Sequence, residues 1–132
     1  MGFEYRPIDE VVEMYDNLYK TTKQLLKYNE KSLQLFMEAR ENDIAEVDFF
    51  NEVKPYADKV KETADKWKIH AIEWANYEKP KYIHSQQVET TYENLLTVSI
   101  QGFYKDTSKK RFQATIQSNQ FFLENVLSKL KN

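Results

Sequence analysis

Histidine is the side chain best suited to acid–base catalysis and metal binding near neutral pH, and this chain has two, His70 and His84. They stand fourteen residues apart, about 21 Å if the interval were all helix, so we do not expect them to share a metal ion. Di-iron sites in helical bundles need a Glu three residues before each His, whereas Trp67 and Lys81 occupy those positions. The sequence therefore predicts no metal, no cofactor and no catalytic residue, and a non-enzymatic role is favoured.

The second histidine lies in the segment EKPKYIHSQQVE, residues 78–89, which separates two helical patterns. Lys81, Tyr82 and His84 form a weak candidate loop site there, because a cation, a phenol and an imidazole stand close together in the sequence. The alternative is a helical corner without chemistry, in which Tyr82 covers the open end of the core and keeps its hydroxyl in water. We favour the corner.

The corner is favoured because its residues match the signals of a helix start. With His84 as the N-cap residue, Ile83 and Val88 occupy the two positions of a hydrophobic staple. Gln87 then occupies the capping-box position, from which its side chain can reach the backbone N–H of His84. Pro80 ends the preceding helix and favours an extended backbone for the residue before it.

Three consecutive cations, Lys109, Lys110 and Arg111, form a weak basic patch. A phosphate-binding stripe needs further cations and interleaved aromatic side chains along one helix, and the sequence does not supply them. In a bundle this run and Lys105 share one end with acidic residues around the first connection, and we expect mutual neutralisation with Glu41, Asp43, Glu46 and Glu52. The sequence therefore disfavours nucleic acid as a partner.

The segments that position these residues carry apolar side chains at spacings of three and four, the pattern of amphipathic helices, and none alternates as a strand does. A polar loop is predicted at Arg40–Val47. Asp48 is a suitable N-cap for a short helix, and Pro55 should kink the helical stretch or divide it in two. The predicted helices are Ile8–Ala39, Phe49–Lys54, Tyr56–Tyr77, Ser85–Tyr104 and a last one that comes after KDTS and ends at Leu130.

The inward stripe of the first helix is predicted to include Ile8 and Val12 at its start. Polar residues also fall at core positions, and we expect them to form buried pairs that set helix register: Thr22, Asn29, Ser99 and Asn119. Gly102 is unfavourable inside a helix, so close contact with a neighbour is expected there. Short links between long helices predict an all-α fold, an antiparallel up-and-down four-helix bundle with a short extra helix before Pro55.

Composition narrows the function further. The 132 residues suit one domain, predicted as 1–132. The absence of cysteine excludes disulfides, thiolate metal sites and cysteine nucleophiles, and is typical of a reducing cytoplasm. A net charge of −2 gives no field that would favour nucleic acid or an anionic membrane, and a mean hydropathy of −0.77 predicts no membrane span. The expected location is the cytoplasm.

Four stretches occur in the order found in the YppE-like family: FFNEVKP (Phe49–Pro55), Trp67, KPKYIH (Lys79–His84) and KKRF (Lys109–Phe112). The chain resembles that family from about Asp48 to its C-terminus. The family consists of small cytosolic proteins from Bacillus and related Firmicutes and is classed as a domain of unknown function. The resemblance implies a helical bundle, and it implies no activity, cofactor or catalytic residue.

Two functions remain open. The first is a non-enzymatic module that binds another protein or a second copy, because the first helix and the Phe49–Tyr77 stretch are each predicted to be about ten residues longer than the other helices. That overhang would leave Phe36, Phe49 and Phe50 partly uncovered. The alternative is a small-molecule or enzymatic pocket between helices, walled by Trp67, Trp74 and Tyr92.

Overall fold

The computed structural model describes residues 6–43 and 46–130. Within these ranges lie a π-helical turn and four α-helices, and no strand occurs: α1 (Ile8–Glu41), the turn Phe49–Val53, α2 (Lys54–Glu78), α3 (Ser85–Gln101) and α4 (Lys109–Leu130). Each helix packs against its neighbours in chain order, and α4 closes the ring against α1. The protein is an antiparallel up-and-down four-helix bundle, as the apolar periodicity predicts.

The turn and α2 form one continuous helical stretch. Pro55 lies in the first turn of α2, where no backbone N–H donor is required, so the proline starts the helix and does not kink it. Asp48 caps the turn: one carboxylate oxygen accepts the backbone N–H of Asn51 at 3.1 Å and the other accepts the Asn51 side-chain amide at 2.7 Å.

Two helix ends differ from the predicted ones. α1 continues to Glu41 through part of the predicted loop, and residues 44 and 45 of that loop lie outside the described ranges. α3 ends at Gln101 instead of Tyr104, with Gly102 as its C-cap residue. A Cβ placed on Gly102 would lie 2.8 Å from the backbone carbonyl oxygen of Ser32 in α1. The close contact expected at this glycine is therefore confirmed.

The buried stripe of α1 begins later than predicted. Ile8 and Val12 are exposed, so the prediction that they face inward is wrong. The residue just before α1 nevertheless lies beside α2: the guanidinium of Arg6 is 2.7 Å from the carboxylate of Glu73 and lies over the Tyr77 ring. The residues that α1 does bury are Met14, Leu18, Thr22, Leu25, Asn29, Ser32, Phe36 and Ala39.

Polar side chains inside the core tie the helices together. The Thr22 hydroxyl accepts the indole N–H of Trp67 at 3.0 Å and donates to the Leu18 carbonyl at 2.6 Å, which connects α2 to α1. Asn29 and Asn119 pair across α1 and α4. Ser99 instead bonds within its own helix, to the carbonyl of Leu96. All four predicted polar core residues are buried, and the paired arrangement is confirmed for the two asparagines.

Candidate functional site

The segment before α3 is a helix cap. His84 is the N-cap residue, and its backbone N–H donates to the side-chain oxygen of Gln87 at 2.8 Å. Ile83 and Val88 are both buried, as a hydrophobic staple requires. The local geometry thus has the capping box and staple positions that the sequence predicts.

The backbone of this corner differs from the prediction at two residues. Lys79 adopts a left-handed conformation (φ 49°) and not an extended one, and its N–H bonds to the Ala75 carbonyl to close α2. Tyr82 also has a positive φ of 69°, and 67% of its surface is exposed. Its predicted role as a cover for the core is therefore wrong, and Ile83 fills that position. Lys81 lies over the Tyr82 ring at 5.0 Å.

The two histidines are not part of a metal-binding cluster in the described ranges, where no group of three His, Asp or Glu side chains is placed to hold an ion. His70 is half-buried on α2, with its Nδ1 atom buried and without a hydrogen-bond partner among the described residues. His84 is exposed at the start of α3. Among the described residues, neither histidine has a hydrogen-bonded carboxylate of the kind that orients a general base.

Phe36 does not belong to an exposed surface. Its ring is fully buried and stacks on Phe112 of α4, with ring centroids 4.1 Å apart and planes inclined by 9°. The guanidinium of Arg40 lies over the same ring at 4.5 Å. The expectation that an overhang of α1 uncovers Phe36 is therefore wrong, because the start of α4 covers this end of α1.

Phe49 and Phe50 are exposed as expected, by 44% and 75% of their surfaces. Their rings meet edge to face at 5.4 Å in the π-helical turn, which we call the diaromatic turn. Besides the Asp48 cap, the turn is held by a bond from the Asp48 backbone N–H to the Glu52 carboxylate at 3.3 Å. Val53, at the end of the turn, is fully buried and anchors it to the core.

The basic run at the start of α4 is exposed, and within the described ranges Lys109, Lys110 and Arg111 make no ion pair. The expected neutralisation is therefore wrong for these three residues. It is confirmed for Lys105, whose ammonium lies 2.7 Å from the carboxylate of Asp43 and lowers the pKa of that carboxyl. Arg40 also donates to the Thr107 carbonyl at this end of the bundle.

The three rings of the alternative pocket do not face one space. Trp67 and Trp74 are packed inside the core, where Trp67 meets Phe122 edge to face at 6.3 Å. Tyr92 lines an open groove between α2 and α3, and neither tryptophan lines it. The Tyr92 hydroxyl donates to Asp65 at 2.5 Å, which raises the pKa of the phenol.

A groove between α3 and α4 is the feature that sequence reasoning missed. It has a volume of about 490 Å³, and every side chain that lines it is uncharged, among them Tyr82, Gln86, Thr90, Ser118, Phe121 and Asn125. Phe121 is 76% exposed beside its buried neighbour Phe122. A signal was available, because residues 112–123 carry no charge in a chain that is 30% charged.

None of the helices in the described ranges combines the length and apolar character that a membrane span requires.

Comparison with known proteins places the chain among relatives of the same size. It is 30% identical over 109 residues to the uncharacterized protein YppE of Bacillus subtilis (strain 168), a match that covers 83% of this chain and 88% of YppE. The crystal structure of a Listeria innocua protein of unknown function superposes with a TM-score of 0.85 at 31% identity, covering 89% of this chain and 94% of that one. The crystal structure of YppE superposes with a TM-score of 0.81 at 28% identity, covering 88% and 94%.

The family model described as a bacterial domain of unknown function, DUF1798, matches residues 22–130. The match begins within α1, so it includes most of a helix that the resemblance from Asp48 onward left out. This chain belongs to the DUF1798 family, the family of YppE.

Proposed function

We propose that the protein is a cytoplasmic, single-domain interaction module without enzymatic activity, and that it binds a protein partner through the diaromatic turn. The observation that carries this proposal is the exposure of Phe49 and Phe50 on a turn that is capped at Asp48 and anchored at Val53. Two adjacent exposed rings cost solvation free energy in the free protein, and a partner that covers them removes that cost.

The geometry of the turn suits recognition because its backbone is capped and its two rings contact each other edge to face. Aromatic anchors with few rotatable bonds lose little conformational entropy on association, and such residues dominate the binding energy of many interfaces. The Asp48 cap removes backbone freedom from the turn as well. The proposed partner is therefore expected to offer an apolar cleft for one or both rings.

The acidic residues near the turn indicate which charges the partner should carry at the edge of its cleft. The carboxylates that stand near the two rings in the sequence are all exposed: Asp43, Glu46, Asp48 and Glu52. Of these, only Asp43 has an ion-pair partner in the described ranges. A partner with cations at the edge of its cleft would complement these carboxylates and would associate faster at low salt.

The test is affinity capture from a lysate of the organism that encodes the protein, with quantitative mass spectrometry. The double variant Phe49→Ser/Phe50→Ser is compared with the unmodified chain and with Phe121→Ser, which removes an equally exposed ring from another face. The proposal expects a protein that is captured by the unmodified chain and by Phe121→Ser and is lost with the double variant. Capture that is the same for all three folded proteins would overturn it.

A further inference from the structure

We propose that the groove between α3 and α4 binds a neutral sugar, an uncharged ring that carries several hydroxyl groups. The groove has a volume of about 490 Å³, which is within the range of small-molecule sites. Its lining extends from Tyr82 and the N-terminal half of α3 to the middle of α4. This inference does not depend on the diaromatic turn, which belongs to a different part of the bundle.

Thr91 places a buried hydroxyl group at the floor of the groove. Only 6% of this residue is exposed, and its hydroxyl makes no hydrogen bond to any described residue. A helical threonine can bond to the carbonyl four residues back, as Thr97 of the same helix does with Glu93 at 2.9 Å. A buried hydroxyl without a partner is unfavourable, so the free protein leaves this group available to a ligand.

The Thr91 hydroxyl can be reached from the groove. Within the described ranges, the side-chain atoms that are both completely enclosed and unpaired belong to His70 and Asn119. Thr91 is not among them although its hydroxyl is unpaired, so that oxygen keeps some accessible surface. Because Thr91 lines the groove, a ligand bound there can donate to this oxygen or accept from it.

The other polar side chains of the groove indicate the chemistry of the ligand. They are amides and hydroxyls, which both donate and accept hydrogen bonds, among them Gln86, Thr90, Ser118 and Asn125. The hydroxyl groups of a neutral sugar also donate and accept, so they match this lining without an ionised partner.

The lining also argues against a charged ligand. None of the described residues that line the groove is charged, and the exposed carboxylates of Glu93 and Glu124 stand outside the lining. A charged ligand would lose part of its hydration in the groove without gaining an opposite charge, which is unfavourable. A neutral ligand avoids that loss.

Two exposed rings give the groove its apolar contacts. Tyr82 and Phe121 are both mostly exposed, and both line the groove. The face of an aromatic ring is slightly negative and attracts the C–H groups on the face of a sugar ring. Aromatic rings together with a few hydrogen-bonding groups are the usual lining of a small-molecule site.

The backbone at Tyr82 supports a binding role for its ring. Its φ of 69° lies in the left-handed region, which is unfavourable for a bulky side chain. Glycine would adopt this conformation without strain. Residues held in such conformations are often found at binding sites, where the surrounding structure fixes them in place for a ligand.

The open shape of the groove indicates weak binding. Most of its lining residues are exposed, so a bound sugar keeps one side in water. Each hydroxyl group exchanges water for protein with a small net gain. The expected dissociation constant is therefore about 1–10 mM.

The first test is a titration of the isotope-labelled protein, followed by heteronuclear NMR, with glucose, maltose or N-acetylglucosamine up to about 50 mM. At least one of these sugars should shift the amide signals of Thr90, Thr91 and Phe121 and reach saturation. Glucuronate, the charged counterpart of glucose, should shift them less. The proposal is overturned if no neutral sugar gives a saturable shift at these signals, or if glucuronate shifts them more strongly. Adenosine serves as a flat aromatic probe, and its binding in place of every sugar would also overturn the assignment.

The second test uses Thr91→Val, which separates binding from folding. Valine keeps the shape of the side chain and removes the unpaired hydroxyl, so the free energy of unfolding should stay the same or rise. The sugar should bind about threefold to tenfold more weakly. Thr97→Val changes the same helix outside the groove and should bind the sugar like the unmodified chain. Unchanged sugar binding by Thr91→Val, or a clear loss of its stability, would overturn the proposal.

The third test uses Tyr82→Asn. Asparagine tolerates a positive φ, so the variant should remain folded, and circular dichroism checks this. Loss of the ring should weaken sugar binding, and binding equal to that of the unmodified chain would contradict the role of Tyr82.

The two proposals fail separately in these experiments. The Phe49→Ser/Phe50→Ser variant should bind the sugar like the unmodified chain, and loss of binding in that folded variant would contradict a site between α3 and α4. A protein that binds no sugar would leave the proposed partner site at the diaromatic turn intact.

Discussion

The side-chain amide of Asn119 on α4 donates a hydrogen bond to the side-chain oxygen of Asn29 on α1, at 3.1 Å, in the centre of the bundle. The amide of Asn29 in turn donates to the backbone carbonyl of Ile116 at 3.0 Å. Both asparagines are almost completely buried. Because a slide of α4 along α1 would leave these polar groups unpaired, the pair favours one register over its neighbours.

The asparagine pair makes a prediction for a double-mutant cycle. Asn29→Leu leaves the buried Asn119 amide without its acceptor, and the free energy of unfolding should fall by about 1–3 kcal/mol. Replacing both residues by Leu removes the stranded group, so the double variant should lose less stability than the sum of the two single losses. Urea denaturation of the four proteins measures this coupling, and additive losses would contradict the pairing.

Gly102→Ala should destabilise the protein although Ala is the better helix former. The added Cβ would meet a backbone carbonyl oxygen of Ser32 at 2.8 Å, and backbone atoms of a packed helix cannot move aside cheaply. We expect the overpacking cost of about 1–3 kcal/mol to exceed the gain in helix propensity, which is at most about 1 kcal/mol. Thermal denaturation measures the change, with the exposed neighbour Gln101→Ala as the control. Stabilisation by Gly102→Ala would show that α3 and α1 are further apart.

The stack of Phe36 and Phe112 predicts a large difference between two phenylalanines of α4. Phe112→Ala empties a fully buried site and should lower the free energy of unfolding by about 3–5 kcal/mol. Phe121→Ala removes a ring that is mostly in water, and its effect on a dilute sample should stay within about 0.5 kcal/mol. Chemical denaturation of both variants checks this, and similar losses would contradict the assignment of the two rings.

Tyr56 predicts a loss of stability at alkaline pH. Burial raises the pKa of its phenol from 10.0 to about 12, while its hydroxyl donates to the Tyr28 carbonyl at 2.9 Å. Between those values the unfolded chain releases the proton and the folded chain keeps it, so unfolding becomes easier as pH rises. Below about pH 10 the contribution of Tyr56 is complete, since both states are then protonated.

The measurement for Tyr56 compares the unmodified chain with Tyr56→Phe. Melting curves at several pH values should show a less steep decline for Tyr56→Phe between about pH 10 and 12, because that variant has no proton to lose at this position. Other groups titrate in the same way in both proteins and cancel in the comparison. Parallel declines would argue against the burial of this phenol.

Features that depend on a few neighbouring residues could be predicted from the sequence. The caps at Asp48 and His84 join groups that are three residues apart, so their partners are visible in the chain itself. Exposure of aromatic rings depends on distant segments and was predicted less well. Phe36 was expected at the surface, and only the position of Phe112, in another helix, shows that it is buried.

The candidate surfaces also depend on contacts between distant segments, which the sequence does not show. Phe121 and Phe122 are identical neighbours, and helical periodicity directs Phe122 into the core without showing what surrounds Phe121. The groove between α3 and α4 joins residues that are far apart in the sequence, such as Gln86 and Phe121, so it exists only where the two helices are packed side by side. Likewise, within the part of the chain that the structure describes, Lys105 pairs with Asp43, whereas Lys109, Lys110 and Arg111 make no ion pair.

The sequence by itself determined the helices, the two capped starts, and the exclusion of cysteine chemistry, because these depend on local spacing and composition. The tertiary structure decided which rings are buried, which cations are paired, and that Ile8 and Val12 at the start of α1 are exposed. The physical reason is that helix formation uses contacts within one or two turns, whereas burial and ion pairing depend on where residues far apart in the chain come together.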